Sequence, residues 1–123
     1  MLSIGSVVMG VSDVTRACEF WSSALGYVPR EEPEEDWAVL VPPEGRPGVR
    51  VSLGVSETPL QEHPRVHLDL YAGDRADQAA EIARMAALGA HRVEWDQYPE
   101  GADFVVLADP DGNRFCVIAT GPA

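Results

Sequence analysis

His67 and Asp69 stand two residues apart in the run Arg65-Val66-His67-Leu68-Asp69-Leu70-Tyr71. An alternating strand turns both side chains to one face. An imidazole beside a carboxylate can move protons, because the carboxylate orients the ring or balances its charge. The same pair can equally be a hydrogen-bonded part of a pocket wall. His67 and Asp69 are therefore the candidate acid–base residues. Cys116 is the other reactive group. It becomes a nucleophile if Arg50 or Arg114 lowers its pKa, and otherwise fills a pocket floor as a small buried thiol.

Several chemistries are excluded. All nine basic residues are Arg and none is Lys, so Schiff-base catalysis and a Lys-type phosphate loop cannot occur. No G-x-S-x-G nucleophile elbow is present. Two cysteines are too few for a disulfide scaffold, and Cys18 falls on an apolar helical stripe as a small hydrophobe. His63, beside Pro64, and His91, opening a strand, read as surface residues. Trp37, Trp95, Tyr98 and Phe104 are the aromatic candidates for a ligand wall. With the acidic stretches 31–36 and 94–103 they suit a planar or cationic small molecule. The alternative is that Trp37 and Trp95 fill a core or a subunit interface.

The elements that must hold these residues are written twice. Ser6-Val7-Val8-Met9-Gly10-Val11-Ser12-Asp13 lines up with His67-Leu68-Asp69-Leu70-Tyr71-Ala72-Gly73-Asp74. Each copy is a short strand followed by an Asp that opens a helix, and the helices close on Leu25-Gly26 and Leu88-Gly89. Such a repeat governs the architecture. Residues 4–11, 27–30, 37–41 and 50–55 read as strands of the first module. Residues 65–71, 91–95, 104–108 and 114–119 read as strands of the second. The first helix turns Val14, Ala17, Cys18, Trp21, Ala24 and Leu25 inward. The second, from 74 to 88, turns in Ala79, Ile82, Ala83 and Ala86. Residues 56–64 have linker composition, so one domain over 1–123 divides into modules 1–55 and 65–123.

Alternation then sorts the faces. Val7, Met9, Val11, Leu68, Leu70, Phe115 and Val117 belong under the helices, while Ser6, Val8, Gly10, His67, Asp69, Tyr71, Arg114, Cys116 and Ile118 face away. Matching Arg50 with Arg114 pairs Ser52 with Cys116, so Ser6, Ser52, His67 and Cys116 occupy four related places. The expected fold is α+β, two βαβββ modules whose mixed sheet curves around a cavity, and concave sites are the usual binding locations. The residues expected to line it are Ser6, Val8, Trp37, Arg50, Ser52, Tyr71, Trp95, Phe104, Arg114 and Cys116.

Composition bounds the partners. Twenty acidic residues against nine Arg give a net charge of -11, which argues against nucleic acid. No stretch approaches the ~20 apolar residues that cross a bilayer, and no basic-then-apolar leader opens the chain, so a cytoplasmic protein is expected.

The paired β-α-β-β-β units, Val11-Ser12-Asp13 before a helix carrying Phe20-Trp21, and Asp109-Pro110-Asp111-Gly112-Asn113 before the last strand resemble the vicinal oxygen chelate superfamily. That superfamily includes glyoxalase I, bleomycin-resistance proteins and extradiol dioxygenases. His67-Leu68-Asp69-Leu70, Leu88-Gly89-Ala90 and Gly112-Asn113-Arg114-Phe115-Cys116-Val117 resemble its small bacterial glyoxalase-like members. The resemblance spans essentially the full chain and implies a homodimer. In metal-dependent members the ligands come from the first and last strands of each module, usually His with Glu or Gln. Those positions here are Ser6, Ser52, His67 and Cys116, of which only His67 is an ordinary ligand. Neutral hydroxyls are poor donors to a divalent ion. No cofactor is therefore expected, and a divalent metal enters only as an alternative. The resemblance implies a small-molecule binder with a degenerate metal site. The alternatives are a lyase- or isomerase-type enzyme using His67 and Asp69, an antibiotic-sequestering protein, and a regulatory module using the same cavity.

Overall fold

Asp13 and Asp74 start the two helices for the same physical reason. The first turn of a helix has N–H groups without intrahelical acceptors, and a short carboxylate side chain can receive them. In the computed structural model, which describes residues 1–121, Asp13 accepts from the Arg16 N–H at 3.1 Å. Asp74 accepts from the Asp77 N–H at 2.8 Å while Asp77 accepts from the Asp74 N–H at 3.1 Å, a reciprocal capping box. Gly26 ends the first helix at φ 67°, in the left-handed region that a side chain disfavours.

Two compact units follow, one up to Pro59 and one from Leu60 onward, and each is β-α-β-β-β. The first contains β1 (Ser6–Val11), α1 (Val14–Leu25), β2 (Val28–Pro29), β3 (Trp37–Val41) and β4 (Arg50–Val55), in sheet order β1-β4-β3-β2. The second contains β5 (Leu68–Gly73), α2 (Arg75–Leu88), β6 (His91–Arg92), β7 (Phe104–Ala108) and β8 (Arg114–Ala119), in order β5-β8-β7-β6. In each the first strand pairs parallel with the last, and the remaining pairs are antiparallel. Both sheets are open and four-stranded. This is the α+β architecture of doubled βαβββ modules that the repeat implies.

The first module buries Val14, Ala17, Cys18, Phe20 and Trp21 of α1, together with Ala38, Leu40, Val51 and Leu53 of the sheet. Phe20 and Trp21 meet edge to face with ring centroids 5.0 Å apart, a favourable aromatic geometry. Ala24 and Leu25, expected inside, are half-buried at the helix end, whereas Phe20 joins the core.

The second helix corrects its expectation more strongly. Ala79, Ala83 and Ala86 are exposed and Ile82 is half-buried; the buried residues of α2 are Gln78 and Met85. Alanine occurs around the whole helix, so its spacing does not mark a face. Gln78 turns inward because its amide Nε2 donates to the Asp103 and Val117 carbonyls at 3.0 Å each, satisfying backbone acceptors beneath the helix.

Strand ends shift where the ladder lacks a partner. β1 starts at Ser6 rather than residue 4, because β4 begins opposite it at Arg50. β2 keeps only Val28 and Pro29 of 27–30, the two residues that pair with β3. β5 covers Leu68–Gly73 instead of 65–71, since pairing with β8 runs from Leu68↔Phe115 to Gly73↔Ala119. β6 is two residues rather than five, because only His91 and Arg92 find partners on β7. The four strands β3, β4, β7 and β8 fall where periodicity puts them.

Among the described residues no helix is long and apolar enough to cross a membrane.

Candidate functional site

Parallel pairing of β5 with β8 places Asp69 opposite Cys116. His67, immediately before β5, has the same strand parity as Asp69 and reaches it. The imidazole Nε2 lies 2.9 Å from an Asp69 carboxylate oxygen. A carboxylate only accepts, so Nε2 carries the proton in this contact. Both side chains are accessible, at 40% and 51% exposure. At that exposure the contact contributes under about 1 kcal/mol to stability, so the arrangement is not a structural staple.

Cys116, beside Asp69 on the neighbouring strand, is 6% exposed. Burial pushes its thiol up to about 11, reinforced by the Asp69 negative charge and by a hydrogen bond to that carboxylate. The condition under which Cys116 would be a nucleophile therefore fails. Arg114, the activating base on its own strand, donates its Nη1 to the Gly112 carbonyl at 2.9 Å, and the charge that Cys116 senses is an acid. At neutral pH it is a thiol, as the pocket-floor alternative requires. Cys18, buried in α1, is also shifted upward, by burial and then by Glu19.

His67, Asp69 and Cys116 present their donor atoms within 4.8 Å of one another, the one such group of three among the described residues. Alternation in the sequence already places Cys116 on the face of the His67–Asp69 pair, without setting it against Asp69. The register unites them, and its signal is readable: the first strand of a module lies parallel to its last.

The equivalent positions in the first module hold different chemistry. Val8 pairs with Ser52 as Asp69 pairs with Cys116, and Ser6 precedes Val8 as His67 precedes Asp69. The Ser6 and Ser52 hydroxyls hydrogen-bond each other at 2.7 Å. Ser52 is buried and Val8 is exposed. These residues do not fit the metal ligands that the superfamily takes from this module, because a hydroxyl brings neither negative charge nor an imidazole nitrogen.

The remaining candidates sort by register. Arg50 pairs with Ser6, and Trp37 pairs with Gly54, so both share the face of Ser6, Val8 and Ser52. Trp37 is half-exposed and its ring lies over Gly54, where an added Cβ would come within 3.1 Å. Glycine at 54 is what lets the ring cover the sheet. In the second module Tyr71 and Phe104 flank Ile118 on the ladder, on the face of Asp69, Cys116 and Arg114. Tyr71 and Ile118 also border a shallow hollow of about 520 Å3 at the end of β5 and β8. Arg114 carries a buried Nε with no hydrogen-bond partner among the described residues.

Trp95 is not gathered with the others. It follows β6 and packs on His63 at 4.8 Å between ring centroids, and His63 in turn contacts Asp96 at 2.8 Å. That contact holds Asp96 below the usual carboxylate range. Tyr98 serves the scaffold. Its hydroxyl accepts from the Val106 N–H at 2.8 Å, and its ring packs on Phe104 at 5.2 Å. The turn before β8 is likewise structural. Asp109, fully buried, accepts from the Asp111 and Asn113 N–H groups at 3.0 and 2.8 Å.

Comparison with known proteins supplies the context for this geometry. The glyoxalase-like domain profile matches residues 6–118. Among solved structures, a glyoxalase/bleomycin resistance protein/dioxygenase family enzyme from Burkholderia phytofirmans PsJN aligns with TM-score 0.74 at 15% identity, covering 96% of this chain and 98% of that one. Lactoylglutathione lyase from Agrobacterium tumefaciens aligns with TM-score 0.64 at 20% identity, covering 96% and 93%. A fosfomycin resistance protein from Listeria monocytogenes, complexed with Mn(II) and a dihydroxypropylphosphonic acid, aligns with TM-score 0.72 at 13% identity, covering 96% and 90%. Identities this low carry the fold alone. No curated protein matches the chain by sequence.

Proposed function

This chain belongs to the glyoxalase-like domain family of the vicinal oxygen chelate superfamily, and on that premise we propose that it binds a small organic molecule on the sheet face opposite the helices. The family's four-ligand metal set is degenerate in this reading. The observation that carries it is the contrast at equivalent strand positions: Ser6 and Ser52 satisfy each other at 2.7 Å, while His67 and Asp69 remain accessible at 2.9 Å. A molecule with an acceptor oxygen suits the partnerless Arg114 Nε, and a donor group on it suits His67 Nδ1, since the ring hydrogen on Nε2 is held by Asp69. Burying that one N–H without an acceptor costs roughly 1–3 kcal/mol, which a ligand oxygen recovers. Tyr71 and Phe104, on the same face of the second module, supply apolar contact. The protein acts as a cytoplasmic homodimer and a single functional domain.

The test is to identify by native mass spectrometry what co-purifies with untagged protein, then to titrate it calorimetrically. One equivalent per chain is expected, with affinity reduced by His67→Ala and by Arg114→Gln. A folded protein that retains no small molecule, and whose melting no member of a panel of carboxylates, phosphonates and cationic aromatics raises, overturns the reading.

A second reading is favoured by the His67–Asp69 contact itself. A ring oriented by a carboxylate is the arrangement general acid–base catalysis uses, so a lyase or isomerase would lose turnover in His67→Ala while keeping ligand affinity. Stoichiometric stabilisation by a cationic aromatic compound with no turnover would instead mark an antibiotic-sequestering protein.

A further inference from the structure

We propose that His67, Asp69 and Cys116 form a binding site for one thiophilic divalent cation of the Zn(II) type, held by the second module alone. The site goes beyond the small-molecule reading and stands or falls separately from it. It also differs from the set implied by the superfamily, because it takes nothing from Ser6 or Ser52 and recruits Asp69.

The geometry comes from three strand positions. Asp69 and Cys116 are opposite each other on parallel strands, and His67 is two residues before Asp69 on the same face. Their donor atoms lie within 4.8 Å. Zinc bonds of about 2.0–2.3 Å in a tetrahedron separate donors by roughly 3.3–3.6 Å, so small χ rotations bring the three together around an ion. The Asp69 carboxylate is already hydrogen-bonded by His67 at 2.9 Å, and Cys116 stands opposite it on the neighbouring strand. An ion placed there takes over the role of the His67 proton.

The donor types select the ion. Imidazole, carboxylate and thiolate together favour Zn(II), Co(II) or Ni(II), whereas Mg(II), Ca(II) and Mn(II) prefer oxygen. Charge balances as well, since one carboxylate and one thiolate neutralise a divalent ion beside a neutral ring. Binding deprotonates the Cys116 thiol and releases that proton to solvent. The His67 ring moves its hydrogen from Nε2 to Nδ1 and offers the freed lone pair. Three protein ligands leave one coordination position open. His67 and Asp69 are accessible while Cys116 is buried, so the ion enters from their side and the open position faces that way. An open fourth position marks sites that take water or a ligand donor, as opposed to closed structural sites.

Metal-free protein titrated with Co(II) and Zn(II) provides the test, read by absorption and by competition with a chelator. Expected are one equivalent of ion, a near-ultraviolet sulfur-to-cobalt charge-transfer band, and displacement of Co(II) by Zn(II) but not by Mg(II). The band must survive in Cys18→Ser and vanish in Cys116→Ser. His67→Ala and Asp69→Ala should each weaken Zn(II) binding at least roughly tenfold, with the far-ultraviolet dichroism of the fold retained. No saturable binding, Co(II) binding without the sulfur band, or a band that persists in Cys116→Ser overturns the proposal. The Cys18→Ser protein carries the test by itself if Cys116→Ser fails to fold.

Discussion

The two modules share element order, strand order and helix caps, yet they distribute burial and chemistry in opposite ways. In the first, α1 presses Val14, Ala17, Phe20 and Trp21 into its core, and the far sheet face holds two serines bonded to each other. In the second, α2 buries only Gln78 and Met85, and the far face holds His67, Asp69 and Cys116. Val8 opposite Ser52 and Asp69 opposite Cys116 are the same rung of the same ladder. The backbone frame therefore does not decide the chemistry; side chains grafted on equivalent rungs do.

This contrast can be broken by mutation. Trp21→Ala should cost about 3–5 kcal/mol in urea unfolding, by loss of transfer energy and creation of a cavity. Met85→Ala should cost less, because α2 contributes a thinner apolar layer. Equal losses would mean that the helices anchor their modules alike.

Alkaline titration probes the far face. The Cys116 thiol sits at about 11 in the folded chain against an ordinary 9.0. Below pH 9 both states hold the proton and stability is unaffected. Between pH 9 and 11 the unfolded chain ionises first, so stability falls as pH rises, by up to about 2–3 kcal/mol. Subtracting the Cys116→Ser profile from the wild type should isolate this loss. A flat difference between pH 9 and 11 would show that burial does not hold the thiol neutral.

Gln78→Ala should destabilise by about 2 kcal/mol, since it strands the Asp103 and Val117 carbonyls under α2. A neutral result would show that water replaces the amide. Smallest is the cap: Asp74→Ala should cost about 1 kcal/mol, and Asp13→Ala a comparable or smaller amount because only Asp74 has a reciprocal partner. Thermal melts of the two variants check the order.

Much of this frame is legible in the chain itself. Asp13, Gly26, Asp74 and Gly89 announce both helices, because capping chemistry is satisfied within a few residues of chain. Residues 37–41, 50–55, 104–108 and 114–119 alternate cleanly and form β3, β4, β7 and β8. The start of β5 and the brevity of β6 are not legible, since a strand ends where its neighbour stops offering partners. The buried face of α2 is hidden for another reason. A helix rich in alanine has no marked stripe, and the deciding group is a polar Gln78.

The site divides along the same line. His67 and Asp69 share a face by alternation alone, so that pairing needs nothing beyond neighbouring residues. Cys116 joins that face through the repeat, but its place directly opposite Asp69 and the upward shift of its thiol do not follow from local pattern. Both depend on the parallel register of β5 with β8 and on the burial it creates. What the sequence by itself determined is the doubled βαβββ plan, through caps and alternation that act over a few residues. Only the tertiary structure decided which side chains meet and how dry they become, because those depend on strands distant in the chain.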